Sequence, residues 1–119
     1  MRIWADGRRR PEDVDRDVRE YTRQAVLRSY AHYRAALEHG EPGPAERANP
    51  PASERLGDVR APTLVVVGEA DVEDMHGIAD RLAGGIPGAR KEVVAGAAHM
   101  LPLERPDELN RLLLEFLDA

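Results

Sequence analysis

The sequence predicts an α/β protein built on a βαβ unit of two parallel strands, with flanking helices and a long helix ahead of them. Three observations carry that expectation. Pro62-Thr-Leu-Val-Val-Val67 is a short continuous apolar run rich in β-branched residues, and it stops at Gly68-Glu-Ala-Asp71. Arg90-Lys-Glu-Val-Val-Ala95 is a second β-like run, stopped by Gly96-Ala-Ala-His99. Between them, Met75, Ile78, Ala79 and Leu82 recur at helical spacing. Strand, helix and strand between Thr63 and Ala95 make a crossover unit, which is right-handed in nearly all proteins.

In chain order, Met1 to Arg10 has a weak pattern, with Ile3 and Trp4 followed by an Asp6-Gly7 turn signal. A helix is predicted from about Asp15 to His39. Asp15 suits the N-cap, Asp17 lies in the first turn where an anion complements the dipole, and Gly40 marks the stop. Val18, Tyr21, Ala25 and Leu27 interleave with Val26, Tyr30, Tyr33 and Leu37, so that apolar side chains recur at three- and four-residue spacing along it. A helix of this length, roughly 36 Å at 1.5 Å per residue, exceeds what a small core requires. It reads as core, as a lid over a pocket or as a dimer helix. Pro42, Gly43, Pro44, Asn49, Pro50 and Pro51 then make a linker, with a short helical turn expected near a Ser53 cap. The helix between the strands is expected from Val72 to Ala83, ended by Gly84-Gly85. Met100 to Glu104 reads as a connection. Pro106 suits the first position of a last helix, Asp107 and Glu108 suit its first turn, and Leu109, Leu112, Leu113, Phe116 and Leu117 form an apolar stripe for the sheet face.

Bulk properties narrow the function classes. A chain of 119 residues supports one core. Aromatics at 4% leave that core to Leu, Val and Ala. Residues 1–60 hold 12 arginines against 11 acids, whereas residues 61–119 hold 5 basic residues against 11 acids. An acidic second half argues against nucleic acid or an anionic membrane as partner. Arg8, Arg9 and Arg10 form the basic cluster, and beside Glu12 and Asp13 they read as a solvated loop. With no cysteine, disulfides and thiolate metal sites are excluded. No apolar run is long enough for a membrane helix and the N-terminus is too polar for a signal peptide, so the expected location is cytoplasmic.

The chemistry is expected at the two strand ends. In open parallel sheets, functional groups gather beyond the carboxyl ends of the strands, and Asp71 and His99 both fall there. Adjacent strands lie about 4.8 Å apart, which puts side chains from neighbouring strand-end loops within hydrogen-bond reach. An Asp on one imidazole nitrogen fixes the tautomer and leaves the other nitrogen as a general base. The plainer alternative is that Asp71 caps the following helix and His99 is a turn residue. Other groupings carry less. Asp71, Glu73, Asp74 and His76 crowd together but do not face one way on a helix, and His32 and His39 share a face without a third ligand, so no metal is expected. Trp4, Tyr30 and Tyr33 read as core positions before pocket ones. No phosphate-binding loop, zinc signature or calcium loop occurs, and no cofactor is expected.

The wider text is more specific. Ala61-Pro-Thr-Leu-Val-Val-Val-Gly-Glu-Ala-Asp71, Ile86-Pro-Gly-Ala-Arg90, Val94-Ala-Gly-Ala-Ala-His-Met100 and Leu103-Glu-Arg-Pro106 together resemble the C-terminal end of α/β-hydrolase fold proteins, in the lid-bearing lactonase and esterase branch. The match runs from Ser53 to Leu117, while the first fifty residues resemble the later part of that family's helical lid less specifically. The resemblance implies a partial α/β-hydrolase fold. Residues 1–50 would be a partial lid and Pro-rich linker, and residues 51–119 the C-terminal βαβα part of the core. It implies ester, lactone or related acyl hydrolysis, with Asp71 as triad acid, His99 as general base and Met100 facing the substrate pocket. Ala98 and Ala70 are minor departures. The large departure is the nucleophile: Ser29 and Ser53 are the chain's serines, and neither stands in Gly-x-Ser-x-Gly. The expectation is a truncated or mis-started hydrolase chain, inactive alone and acting on a small ester-like substrate only when completed by the nucleophile-bearing half. Self-association through the open strand edge would cover the exposed apolar residues there. A non-catalytic interaction or dimerisation module using the long helix and that edge is the alternative.

Overall fold

The structure, a computed structural model, describes residues 1–38, 40 and 49–118. His39, expected to end the long helix, and Pro42, Gly43 and Pro44 of the predicted linker lie outside these residues. The ordered elements are α1 (Arg16–Glu38), β1 (Leu64–Gly68), α2 (Glu73–Gly85), β2 (Arg90–Val94), α3 (Leu101–Glu104) and α4 (Pro106–Leu117). Short helical turns at Arg2–Asp6, Pro11–Asp13, Ala52–Glu54 and Leu56–Asp58 fill the connections. No described helix is long and apolar enough to cross a membrane.

The two strands pair in parallel, from Leu64 opposite Arg90 to Gly68 opposite Val94. Both therefore end at the same level, so Asp71 and His99 leave the sheet side by side. Alternation along β1 sends Leu64 and Val66 to one face. There they pack with Leu101 against a buried cluster of Val94, Ala97 and Leu112, so α4 meets the sheet through Leu112, whereas Leu113 and Leu117 of its expected stripe are exposed because nothing among the described residues covers them. On α2, Ala79 is buried but Ile78 stays half exposed. It lines an open cleft of about 200 Å³ with Val65, Val67, Met75 and Leu82. Among the described residues the far edge of β1 is paired with nothing, since the sheet has two strands. The helix ends at Gly85 rather than before Gly84, and the bare Cα of Gly85 lets Leu56 pack close. Met100 to Glu104 is not a plain connection: α3 forms a single turn there, with the amides of Leu103 and Glu104 donating to the Met100 carbonyl.

Asp15 caps α1 as expected, its Oδ1 accepting from the amides of Asp17 and Val18 at 2.8 and 3.0 Å. Its apolar stripe is not core, however. Thr22 is the one buried residue of the helix, while Tyr30 and Tyr33 are 62% and 59% exposed. The reason is that α1 packs on the Arg2–Asp6 turn and stands off the sheet, with no second layer among the described residues to cover it. A radius of gyration of 17.0 Å accords with that, since about 13–14 Å would suit a compact chain of this length.

One ion pair fixes α1 to that turn. The Arg19 guanidinium grips the buried Asp6 carboxylate with two bonds, at 2.7 and 3.2 Å. Those bonds hold the Asp6 carboxyl below the ordinary range against the opposing effect of burial. A depressed carboxyl contributes stability above its unfolded pKa and loses it as pH falls through the folded one. Urea unfolding at neutral pH and near pH 3 is thus expected to show a smaller acid destabilisation for Asp6→Asn than for the wild type.

Candidate active site

Gly68 closes the gap between the strand ends. A Cβ there would lie 2.3 Å from the Ala98 carbonyl oxygen and 2.5 Å from that of Ala97, so only a glycine lets the second loop cross so near. The two loops are then stitched by backbone bonds: the Glu69 amide donates to the Val94 carbonyl at 2.9 Å and the Ala70 amide to the Ala97 carbonyl at 2.8 Å. Glu69 Oε2 adds a bond from the Gly96 amide at 2.9 Å.

On this frame the Asp71 carboxylate is divided. Oδ1 accepts from the Val72 amide at 2.8 Å, at the start of α2, while Oδ2 lies 3.1 Å from His99 Nδ1. Asp71 is not the cap of α2, which begins at Glu73 with Val72 at its N-cap and no side-chain cap bond; one of its oxygens meets the Val72 amide and the other faces the imidazole. The Asp71 side chain is buried and that of His99 is 29% exposed, so the acid is shielded while part of the imidazole reaches solvent. With Nδ1 on the carboxylate, Nε2 is the nitrogen available to take a proton.

The N-terminal segment completes the surroundings. Gly7, at φ 60°, brings its backbone onto both strand-end loops, where a Cβ would meet the Ala70 carbonyl oxygen at 2.1 Å and Ala98 Cβ at 2.8 Å. The Arg8 amide donates to that same Ala70 carbonyl at 2.7 Å. This seats Trp4 against His99, ring edge to ring face, with centroids 5.3 Å apart and planes at 74°. Beyond Trp4 opens a groove of about 560 Å³ between α1 and Met100, walled by Ala25, Val26, Tyr30 and Tyr33. Trp4, Tyr30 and Tyr33 are therefore groove residues and not core, and Met100 stands on the same groove. Ser29 also lines it, whereas Ser53 sits in the Ala52–Glu54 turn.

Sequence reasoning missed the Trp4 contact, which joins residues 95 positions apart, and it misread Arg9. Arg10 is solvated as expected, but the Arg9 side chain is only 17% exposed and pairs with the buried Glu104 at 2.6 Å. Glu104 in turn accepts from the Ala98 amide at 3.0 Å. No local charge pattern distinguishes Arg9 from its neighbours; the Leu103-Glu-Arg-Pro106 stretch held the one available signal, at Glu104. Among the described residues no group of three or more acidic or imidazole side chains is placed to hold a metal.

Comparison with known proteins gives a consistent set. No protein-family model matches the chain. It is 34% identical over 96 residues to a 2-hydroxy-6-oxo-6-phenylhexa-2,4-dienoate hydrolase of Comamonas testosteroni, a match covering 79% of this chain and 32% of that protein. Among solved structures, MenH from S. aureus matches with a TM-score of 0.53 and 32% identity, over 56% of this chain and 24% of the other. Est816, an N-acyl homoserine lactone degrading enzyme, matches with a TM-score of 0.51 and 44% identity, over 54% and 25%. The chain thus spans about a third or less of the length of the curated relatives it matches.

Proposed function

Since the chain belongs to the α/β-hydrolase fold family, of which it carries a part, we propose that Asp71 and His99 are the acid and general base of an acyl hydrolase triad, acting on an ester, a lactone or a related substrate. The observation that carries this is the bond from His99 Nδ1 to the buried Asp71 carboxylate at the shared end of two parallel strands. Asp71 holds the imidazole in the tautomer whose Nε2 is unprotonated. That nitrogen takes the proton of an attacking hydroxyl, Asp71 stabilises the imidazolium that forms, and the same proton passes to the leaving group.

The hydroxyl comes from outside these 119 residues, because neither serine stands on a Gly-x-Ser-x-Gly turn. The cleft beside β1, lined by both Asp71 and His99, is the place for it: the unpaired strand edge there accepts another parallel strand of the same sheet. Residues 1–50 act as part of a lid, with Met100 and the aromatic residues of the groove contacting the acyl portion. The test is co-expression of the full chain with the nucleophile-bearing part of the Comamonas relative, assayed on a p-nitrophenyl ester. Turnover is expected only for the pair and only with His99 intact. Turnover unchanged by His99→Ala overturns the proposal.

A second reading has its own support. The exposed stripe of Leu27, Tyr30, Tyr33 and Leu37 on α1 and the open edge of β1 suit a non-catalytic interaction module that associates with itself. Light scattering separates the two: a stable dimer with no turnover in the co-expressed pair favours the module.

A further inference from the structure

We propose that the Arg9–Glu104 ion pair is a positioning device that holds His99 and Trp4 in one register; the catalytic meaning of that role rests on the reading of His99 as general base. The pair closes a ring of contacts. Glu104 Oε2 takes Arg9 Nη1 at 2.6 Å, and Glu104 Oε1 accepts from the amide of Ala98, the residue before His99, at 3.0 Å. The same guanidinium donates to the Gly96 carbonyl at 2.9 Å and, on its other arm, to the carbonyl of Ala5, the residue after Trp4, at 2.7 Å. The ring is completed where Trp4 meets the His99 imidazole.

Each charge is thus used on backbone groups that flank the two aromatic side chains. Ala97 and Ala98 are wholly buried, so the Ala98 amide has no water to turn to, and an ionised carboxylate is among its strongest acceptors. A buried ion pair is weak evidence for stability as such, because desolvation offsets much of the attraction. Its geometric effect is the larger one here. An apolar pair of equal size would fill the space and leave the Ala5, Asp6 and Gly96 carbonyls and the Ala98 amide without a common anchor.

The only tryptophan of the chain is Trp4, so intrinsic fluorescence reports on this contact without any need for substrate. Removing the imidazole from beside the Trp4 ring changes the surroundings of the indole, so in the full chain His99→Ala is expected to change the intensity or wavelength of Trp4 emission at neutral pH. Arg9→Met and Glu104→Ala are expected to reproduce about half or more of that change with His99 still present, with far-UV circular dichroism unchanged. Glu104→Gln, which still accepts from the Ala98 amide, and Arg9→Lys, which keeps the charge, are expected to fall in between, and they decide the matter if the larger changes prevent folding. Folded variants that emit as the wild type does overturn the proposal, as does a His99→Ala protein whose Trp4 emission is unchanged. Failure of the acid–base reading looks different: the co-expressed pair is inactive while these emission differences persist.

Discussion

Asp71→Asn is expected to lower turnover of the co-expressed pair by about four orders of magnitude while leaving the fold of the chain intact. The change separates the two jobs of this side chain. An amide keeps a carbonyl oxygen for the Val72 amide, now met at 2.8 Å, so the loop ahead of α2 is retained. Its NH2 group then faces His99 Nδ1, where Oδ2 now sits at 3.1 Å. A donor facing Nδ1 selects the tautomer protonated on Nε2, and that nitrogen can no longer take the proton of a hydroxyl. The negative charge that would stabilise the imidazolium is lost with it. A purely structural Asp71 would behave differently, since Asn keeps the bond to the Val72 amide and turnover would hardly move. Steady-state kinetics on a p-nitrophenyl ester, with thermal melts of both proteins, check the outcome. A variant that keeps more than about a tenth of wild-type turnover removes Asp71 from the chemistry.

How far the sequence leads depends on the range of each interaction. The two strands, α2 and α4 were legible because their signals are local: β-branched runs broken by glycine, and leucines at helical spacing behind Pro106. Asp71 and His99 were legible for the same reason, each placed directly after a strand stop. The stripe of α1 was equally visible but its burial was not, because periodicity reports which residues share a face and not whether anything covers it. Arg9 failed in the opposite sense. Three successive arginines look alike in composition, and only the fold sends the middle one inward to Glu104, 95 residues away. The helical turn of α3 was hidden by its brevity and by Pro102.

Gly68 shows the same limit from another side, and its replacement is expected to have the largest effect on the fold. As a sequence signal it simply ends β1; in the structure it sets how near the two strand-end loops lie. Its φ is not in the left-handed region, so alanine meets no conformational objection there and the cost is one of space. The added methyl would sit 2.3 and 2.5 Å from two backbone carbonyl oxygens, those of Ala98 and Ala97. Neither can swing aside as a flexible side chain would. The Ala97 oxygen is held by the Ala70 amide, and Ala98 is held by Glu104 through its own amide. Relief requires the loops to part by about 1 Å, which breaks those bonds and carries His99 away from Asp71. Overpacking of this kind typically costs about 1–3 kcal/mol, and contacts with fixed backbone belong at the upper end or beyond. For a domain of this size that corresponds to a fall of roughly 10 °C or more in melting temperature. Gly77→Ala in α2 is the matched control, because a Cβ there meets nothing within 4 Å and alanine favours the helix. Thermal melts followed by circular dichroism should therefore move the two variants in opposite directions. A Gly68→Ala protein that melts with the wild type would mean that the loops bearing Asp71 and His99 are not packed this tightly, and that the bond between the two residues is set by something other than the crossing at Gly68.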